Sequence, residues 1–197
     1  MKIIETNLQF NGLRSRKSTR RVIVHHSASS DVPANEIHKW HKNRGWAGIG
    51  YHFVIRANGQ IERGRPEFTI GAHAGKTGNP DSIGIVLTGN FEIEKPMEAQ
   101  IDNLVWLIRE YLYPKYGELE VVGHKDVMPT SCPGKKFPWA ELRRRLEVGP
   151  MPEQWKVEII ERAKKAGLIT SDHNPDELAS KWFVLAVALN LLKVVGK

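Results

Sequence analysis

The feature that most constrains the fold of this chain is the run Ser82-Ile83-Gly84-Ile85-Val86-Leu87-Thr88, nearly continuous in apolar character and too short for a buried helix. Such a run suits a strand covered on both faces, as at the centre of a sheet with parallel neighbours. Ile101, Leu104, Val105, Ile108, Tyr111 and Leu112 then recur at helical spacing, so a helix is expected to cover that sheet. Val22-Ile23-Val24 predicts a second buried strand that breaks into His25-His26-Ser27, and Glu118 to Gly123 predicts another that runs directly into His124. Tyr51 to Arg56, Asn58-Gly59 and Gln60 to Glu62 read as strand, two-residue turn and strand, a hairpin. Asp31 and Pro33 open a helix carrying Ile37, Trp40 and His41 on one face, closed by Gly45, and Pro138 suits the first turn of a helix over Trp139 to Glu147. The expected fold class is α/β, a mixed central β-sheet flanked by helices, with a small helical C-terminal module.

The module follows from Val148-Gly149-Pro150-Met151-Pro152, a segment that supports neither helix nor strand. The expected organisation is a first domain over 1–148, a linker over 149–152 and a two-helix unit over 153–197. Trp155, Ile159, Ile160 and Ala163 lie on its first helix, ended by Gly167, and Ala179 to Val195 forms the second. The stretch Trp182 to Leu189 is apolar all round, so that helix must dock on the first domain, pair with a second copy or meet another apolar surface. A monomer is expected, with a dimer through these helices as the alternative. No stretch approaches the roughly 20 apolar residues that cross a bilayer, and the first thirty residues lack an export signal.

The net charge of +7 is unevenly placed: Met1 to Val24 holds Lys2, Arg14, Arg16, Lys17, Arg20 and Arg21 against Glu5 alone. Such an arm suits an anionic polymer or is simply solvated. No aromatics interleave with its basic residues and no groove-reading helix follows, which argues against a specific nucleic-acid partner.

Chemistry is concentrated at the single cysteine. With no partner for a disulfide, Cys132 is a core filler, a metal ligand or a nucleophile. It lies eight positions after His124, and a histidine and a thiolate together suit zinc, which in catalytic sites takes three protein ligands and leaves a fourth position open. The pair His25-His26 at a neighbouring strand end is the natural third donor, and only one of the two should serve, because successive side chains on a strand point to opposite faces.

Val22 to Ala28, Gly45-Trp46 through Gly50-Tyr51-His52-Phe53, Gly71-Ala72-His73, Asn79 with Ser82-Ile83-Gly84-Ile85, and His124 through Thr130-Ser131-Cys132-Pro133-Gly134 occur in the order seen in N-acetylmuramoyl-L-alanine amidases. Over about residues 20 to 147 the chain resembles this family, which is shared by T7-type phage lysozymes and peptidoglycan recognition proteins. The resemblance implies a Zn2+ cofactor held by His25, His124 and Cys132, with Tyr51 at the reacting centre. It implies cleavage of the amide between N-acetylmuramic acid and L-alanine in peptidoglycan. Thr130 stands where phage members often have lysine, so a hydroxyl would serve the oxyanion there. His73 is expected near the substrate, with Trp46 and Asn79 as further contacts. His26 and His52 are expected to face away from the site by strand alternation. A module resembling a wall-binding repeat, the basic arm and the missing export signal suit an endolysin that waits in the cytoplasm and then acts on the wall. A wall-recycling amidase, a non-enzymatic binder of the same fold and a cysteine peptidase are the rivals.

Overall fold

In a computed structural model, residues 2–148 and 154–169 are described. The chain divides into two compact units, Met1–Pro150 and Met151–Lys197. The first contains, in order, β1 (Ile3–Ile4), β2 (Arg21–His26), α1 (Ala34–Asn43), β3 (Phe53–Ile55), β4 (Ile61–Arg63), α2 (Gly75–Gly78), β5 (Ser82–Leu87), α3 (Glu98–Trp106), α4 (Tyr113–Tyr116), β6 (Glu120–Gly123) and α5 (Trp139–Val148). Of the second unit, only α6 (Gln154–Lys165) and the turn that ends it are described. The apolar stretch Trp182 to Leu189 and the expected helix Ala179 to Val195 lie outside the described residues.

The strands form one mixed sheet in the order β1-β4-β3-β5-β2-β6. The apolar run Ser82–Leu87 is β5, paired in parallel with β2 on one side and β3 on the other, and every one of its residues is buried. Strand β6 joins the far side of β2, also in parallel, with Val24 opposite Gly123. Parallel strands bring their carboxyl ends to one edge, so the residue after Val24 and the residue after Gly123 become neighbours there: His25 and His124. Alternation then splits the sheet into two faces. Val22, Val24, Ile83, Ile85, Phe53 and Ile55 pack against Leu104, Val105 and Ile108 in the main core. Val54 and Val86 on the opposite face meet Ala34 and Ile37 of α1 and Ile49. His25, opposite Val86, belongs to this second face.

Helix α1 ends as the sequence predicts: Gly45 takes φ +79°, its N–H donates to the Lys42 carbonyl, and the Trp46 N–H donates to the His41 carbonyl. Its start is held differently. Pro33 offers no side-chain cap, and the Glu62 carboxylate on β4 takes the Ala34 N–H at 2.6 Å. The helix that begins with α3 widens into a π-helical stretch, Leu107–Leu112, before Tyr113–Tyr116. Pro114 lacks an N–H and its ring crowds the carbonyl four residues back, which the wider turn accommodates.

Two local expectations change. The hairpin turn is a three-residue loop, Ala57-Asn58-Gly59, closed by Gly59 N–H to the Arg56 carbonyl with Gly59 at φ +88° and Arg56 N–H to the Gln60 carbonyl, because the extra residue lets a common type I turn be followed by a left-handed one. The basic arm is also not a free tail. Ile3–Ile4 pairs with Ile61 and Glu62 as an edge strand, and Leu8 and Phe10 pack on the α1 side of the sheet. Arg16 donates to the carbonyls of Thr69 (2.9 Å) and Ser82 (3.2 Å), and Arg21 pairs with Asp81 at 2.9 Å. Lys2, Arg14, Lys17 and Arg20 remain exposed.

Candidate active site

The site forms at the carboxyl edge of β2 and β6. His25 is 1% exposed, at the end of a strand buried along nearly its whole length. His124 enters from a single 3-10 turn, His124–Asp126, whose Asp126 carboxylate takes the Gly123 N–H at 2.8 Å. The following loop folds back because the Lys125 N–H donates to the Cys132 carbonyl at 2.9 Å, which returns the cysteine to the histidine it follows by eight residues. The His25 and His124 rings lie 4.5 Å apart between centroids, and Cys132 Sγ is 3.7 Å from His25 Nδ1.

One donor atom from each of His25, His124 and Cys132 lies within 4.8 Å of the others. Two bonds of about 2.1 and 2.3 Å at a tetrahedral angle separate nitrogen and sulfur by about 3.6 Å, close to the Nδ1 to Sγ spacing observed. His124 Nε2 is buried and has no hydrogen-bond partner, a condition a metal ion would relieve. The residues therefore fit a zinc ion in donor type, spacing and unmet bonding. Burial holds His25 and His124 below the ordinary histidine range, so both rings are neutral and each can offer a lone pair. Burial also pushes the Cys132 thiol up to about 11 despite the His26 N–H directed at its sulfur at 3.4 Å. A nucleophilic cysteine needs the opposite shift and usually a helix start, whereas Cys132 lies in a turn.

Tyr51 precedes β3, and its ring centroid lies 5.0 Å from that of His25. Its backbone is strapped on both sides: the Arg65 N–H donates to the Tyr51 carbonyl at 2.8 Å, and the Gly50 N–H donates to His41 Nδ1 at 3.0 Å. Burial raises the phenol above its ordinary range, so it stays protonated at neutral pH. Thr130 is exposed at the rim. Its hydroxyl oxygen accepts the Cys132 N–H at 3.2 Å, which leaves its proton free to be donated. Trp46 is 41% exposed and packs on His41, 4.6 Å between centroids, and a cleft of about 320 Å³ runs from it past Arg14, Arg65 and Ala72.

The other expected residues are turned inward. His73 is 8% exposed, with Nδ1 3.0 Å from His25 Nε2 and Nε2 3.4 Å from Ser82 Oγ. The Asn79 side-chain oxygen accepts the N–H groups of His73 and Ala74, both at 2.8 Å. Both side chains thus shape the loop behind His25, His73 through its two ring nitrogens and Asn79 through its side-chain oxygen. His26 faces away, its Nδ1 accepting the Phe91 N–H at 3.0 Å. The His52 ring packs 5.7 Å from His73, behind His25, while its Nδ1 accepts the Gly84 N–H. Ser82, His38 and His41 have no role that the sequence alone points to. The i, i+3 spacing of His38 and His41 on the buried side of α1 was the available signal, and each uses Nδ1 to hold backbone leading into Tyr51.

The family model for N-acetylmuramoyl-L-alanine amidases matches residues 15–135. The chain belongs to that family. Accordingly it is an amidase. It is 38% identical over 128 residues to the endolysin of Escherichia phage T7, a match covering 61% of this chain and 83% of that protein. Among solved structures, the N-acetylmuramoyl-L-alanine amidase LysC from Clostridium intestinale superposes with a TM-score of 0.71 at 38% identity, covering 75% of this chain and 98% of the other. Drosophila PGRP-LB superposes at 0.65 with 30% identity, over 72% and 92% of the two chains. The amidase family is thereby shared with peptidoglycan recognition proteins, and the mixed sheet with its flanking helices is their common fold.

Proposed function

We propose that this amidase is a zinc-dependent endolysin that hydrolyses the bond between the lactyl group of N-acetylmuramic acid and L-alanine in peptidoglycan. The observation that carries the reading is the convergence of His25, His124 and Cys132 with a buried, unpartnered His124 Nε2 among them. The similarity to phage endolysins and to a bacterial amidase supports the substrate and the lytic role.

Zinc in that cage would supply Lewis acidity toward the amide carbonyl and a water activated near neutral pH. The chain's own groups do the rest. His25 and His124 offer lone pairs as neutral imidazoles, and Cys132, whose thiol would give up its proton on binding the metal, would contribute the one negative charge. Tyr51, protonated, stands where it can donate to the carbonyl oxygen as charge develops or deliver a proton toward the leaving amine. Thr130 donates a second, uncharged hydrogen bond from the rim. Trp46 and the cleft beside it offer an apolar face and the exposed Arg14 guanidinium to the glycan and stem peptide. His73 and Asn79 serve the substrate through the loop they hold. The exposed Lys2, Arg14, Lys17 and Arg20 offer positive charge to anionic wall polymers.

The test is digestion of purified peptidoglycan with the full-length protein. New alanine amino termini without new reducing ends, abolished by a chelator and restored by zinc, are expected. Binding to the wall with no released amine would overturn the enzymatic reading, and activity insensitive to chelation would overturn the zinc.

A further inference from the structure

The segment from Gly71 to Gly84 lies behind the cage, and its side chains form a hydrogen-bonded chain whose direction is favoured by the Ser82 hydroxyl at its far end. Ser82 Oγ is 2.5 Å from the Gly78 carbonyl oxygen, which can only accept, so the one hydroxyl proton points there. The same oxygen is 3.4 Å from His73 Nε2 and can then only accept, which places the proton of the neutral His73 ring on Nε2. His73 Nδ1 is left as an acceptor, 3.0 Å from His25 Nε2, so His25 carries its proton on Nε2. The nitrogen that faces Cys132, His25 Nδ1, is thereby left with its lone pair.

We infer that His73 and Ser82 are positioning residues that fix the tautomer and ring direction of His25, so that Nδ1 always presents a lone pair to the cage. The inference rests on the reading of His25, His124 and Cys132 as metal ligands. Three further features around His73 serve this arrangement. A Cβ built on Gly84, in the middle of a central strand, would stand 2.5 Å from the His73 ring, and one on Gly71 would stand 2.4 Å from it, so both glycines exist as the floor and wall of a slot for that ring. Asn79 pins the backbone of His73 by its N–H. The His52 ring closes the third side at 79° to His73, itself locked by the Gly84 N–H on Nδ1 and the Thr69 carbonyl 2.9 Å from Nε2. A histidine held on both ring nitrogens in a slot of this kind orients a metal ligand as an outer-shell partner does elsewhere, where its loss typically costs about 10- to 100-fold in metal affinity.

The experiment has two arms on the full-length protein. In the first, long-range proton–nitrogen correlation spectra of the zinc-free wild type assign each ring tautomer: His25 and His73 are both expected protonated at Nε2. A proton on Nδ1 of either ring overturns the relay whatever the variants do. In the second, zinc dissociation constants are measured by competition with a chromophoric chelator for wild type, His73→Leu, His73→Asn and Ser82→Ala. His73→Leu should bind zinc about 10- to 100-fold more weakly. His73→Asn, whose amide oxygen can take the place of ring Nδ1 as acceptor, should retain more affinity although it fills the slot less well. A purely space-filling role predicts the reverse order, and equal affinity of all four proteins overturns the relay while leaving the cage intact. Failure of the wild type itself to bind zinc would instead overturn the cage, with the spectra still deciding the tautomers.

Discussion

At the scale of single residues, the proposed site separates atoms that would hold a metal from atoms that would react. His25, His124 and Cys132 are buried or half-buried, while the Tyr51 ring lies 5.0 Å from that of His25 and Thr130 is exposed two residues before Cys132. Substituting either kind should therefore have different signatures. His124→Ala is expected to lose stoichiometric zinc and at least about 1000-fold in amide hydrolysis together. Tyr51→Phe is expected to keep its zinc, measured by metal analysis of the purified protein, and to lose about 100- to 1000-fold in kcat, the range seen when one oxyanion donor or proton donor is removed. Thr130→Val should cost less, about 10-fold, because its hydrogen bond carries no charge and lies at the exposed rim. Equal losses in Tyr51→Phe and Thr130→Val would show that the phenol has no privileged part.

Elements are joined by a few long-range polar contacts, and these are where stability should respond. Glu62 of β4 takes the first N–H of α1 and also pairs with Arg56 at 3.2 Å, with its side chain 12% exposed. Glu62→Ala strips a charged acceptor from a helix start and is expected to cost about 2 kcal/mol, read as a fall of about 4 to 8 °C in the thermal midpoint. Asp31, in the loop before α1, receives two hydrogen bonds from Arg56 at 2.8 Å, one from Thr88 Oγ1 at 2.5 Å and one from the Ala57 N–H. The Arg56 guanidinium, followed by Thr88, holds this carboxyl well below the usual carboxylate range. A depressed folded-state pKa stabilises above the unfolded value near about 4 and is lost as pH falls toward the folded value. Asp31→Asn should thus cost about 1 kcal/mol at neutral pH, discounted because the side chain is 36% exposed, and the gap from wild type should close progressively below about pH 4 in urea titrations. A gap that stays constant with pH would exclude the ionic origin. On β5, Gly84→Ala drives a methyl into the His73 ring and is expected to cost about 1 to 3 kcal/mol even though alanine suits a strand no worse than glycine.

For the molecule as a whole, the cage ties the carboxyl ends of β2 and β6 to the loop that carries Cys132, contacts that exist only in the folded first unit. An ion bound there stabilises the native state by mass action, about 2.7 kcal/mol at a hundredfold excess over its dissociation constant. Calorimetry of the full chain should show the corresponding transition rise by about 5 to 10 °C on zinc addition and return on chelation. A midpoint indifferent to zinc would be incompatible with a cage that closes on folding.

The sequence by itself determined the sheet and its covering helices, because those depend on local patterns: a doubly buried run at β5 and helical spacing from Ile101 to Leu112; histidines at strand ends narrowed the candidate ligands, and the set His25, His124 and Cys132 came from the family resemblance. Gly45 as the end of α1 was equally readable, since a left-handed residue after a helix is a local demand. What only the tertiary structure decided are contacts between segments far apart in the chain. The basic arm reads as solvated or as a binder of anionic polymers, with no sign of the edge that β4 offers Ile3–Ile4, and Glu62 reads as an ordinary strand residue until α1 starts beside it. His73 and Asn79 are expected as substrate contacts because the family resemblance implies them. Their direction depends on β5 passing beneath with no side chain at Gly84, which opens a slot for one imidazole behind another. Periodicity identifies which face a residue occupies. Which atom of a ring meets which partner across 48 residues of sequence is set only when the sheet has closed.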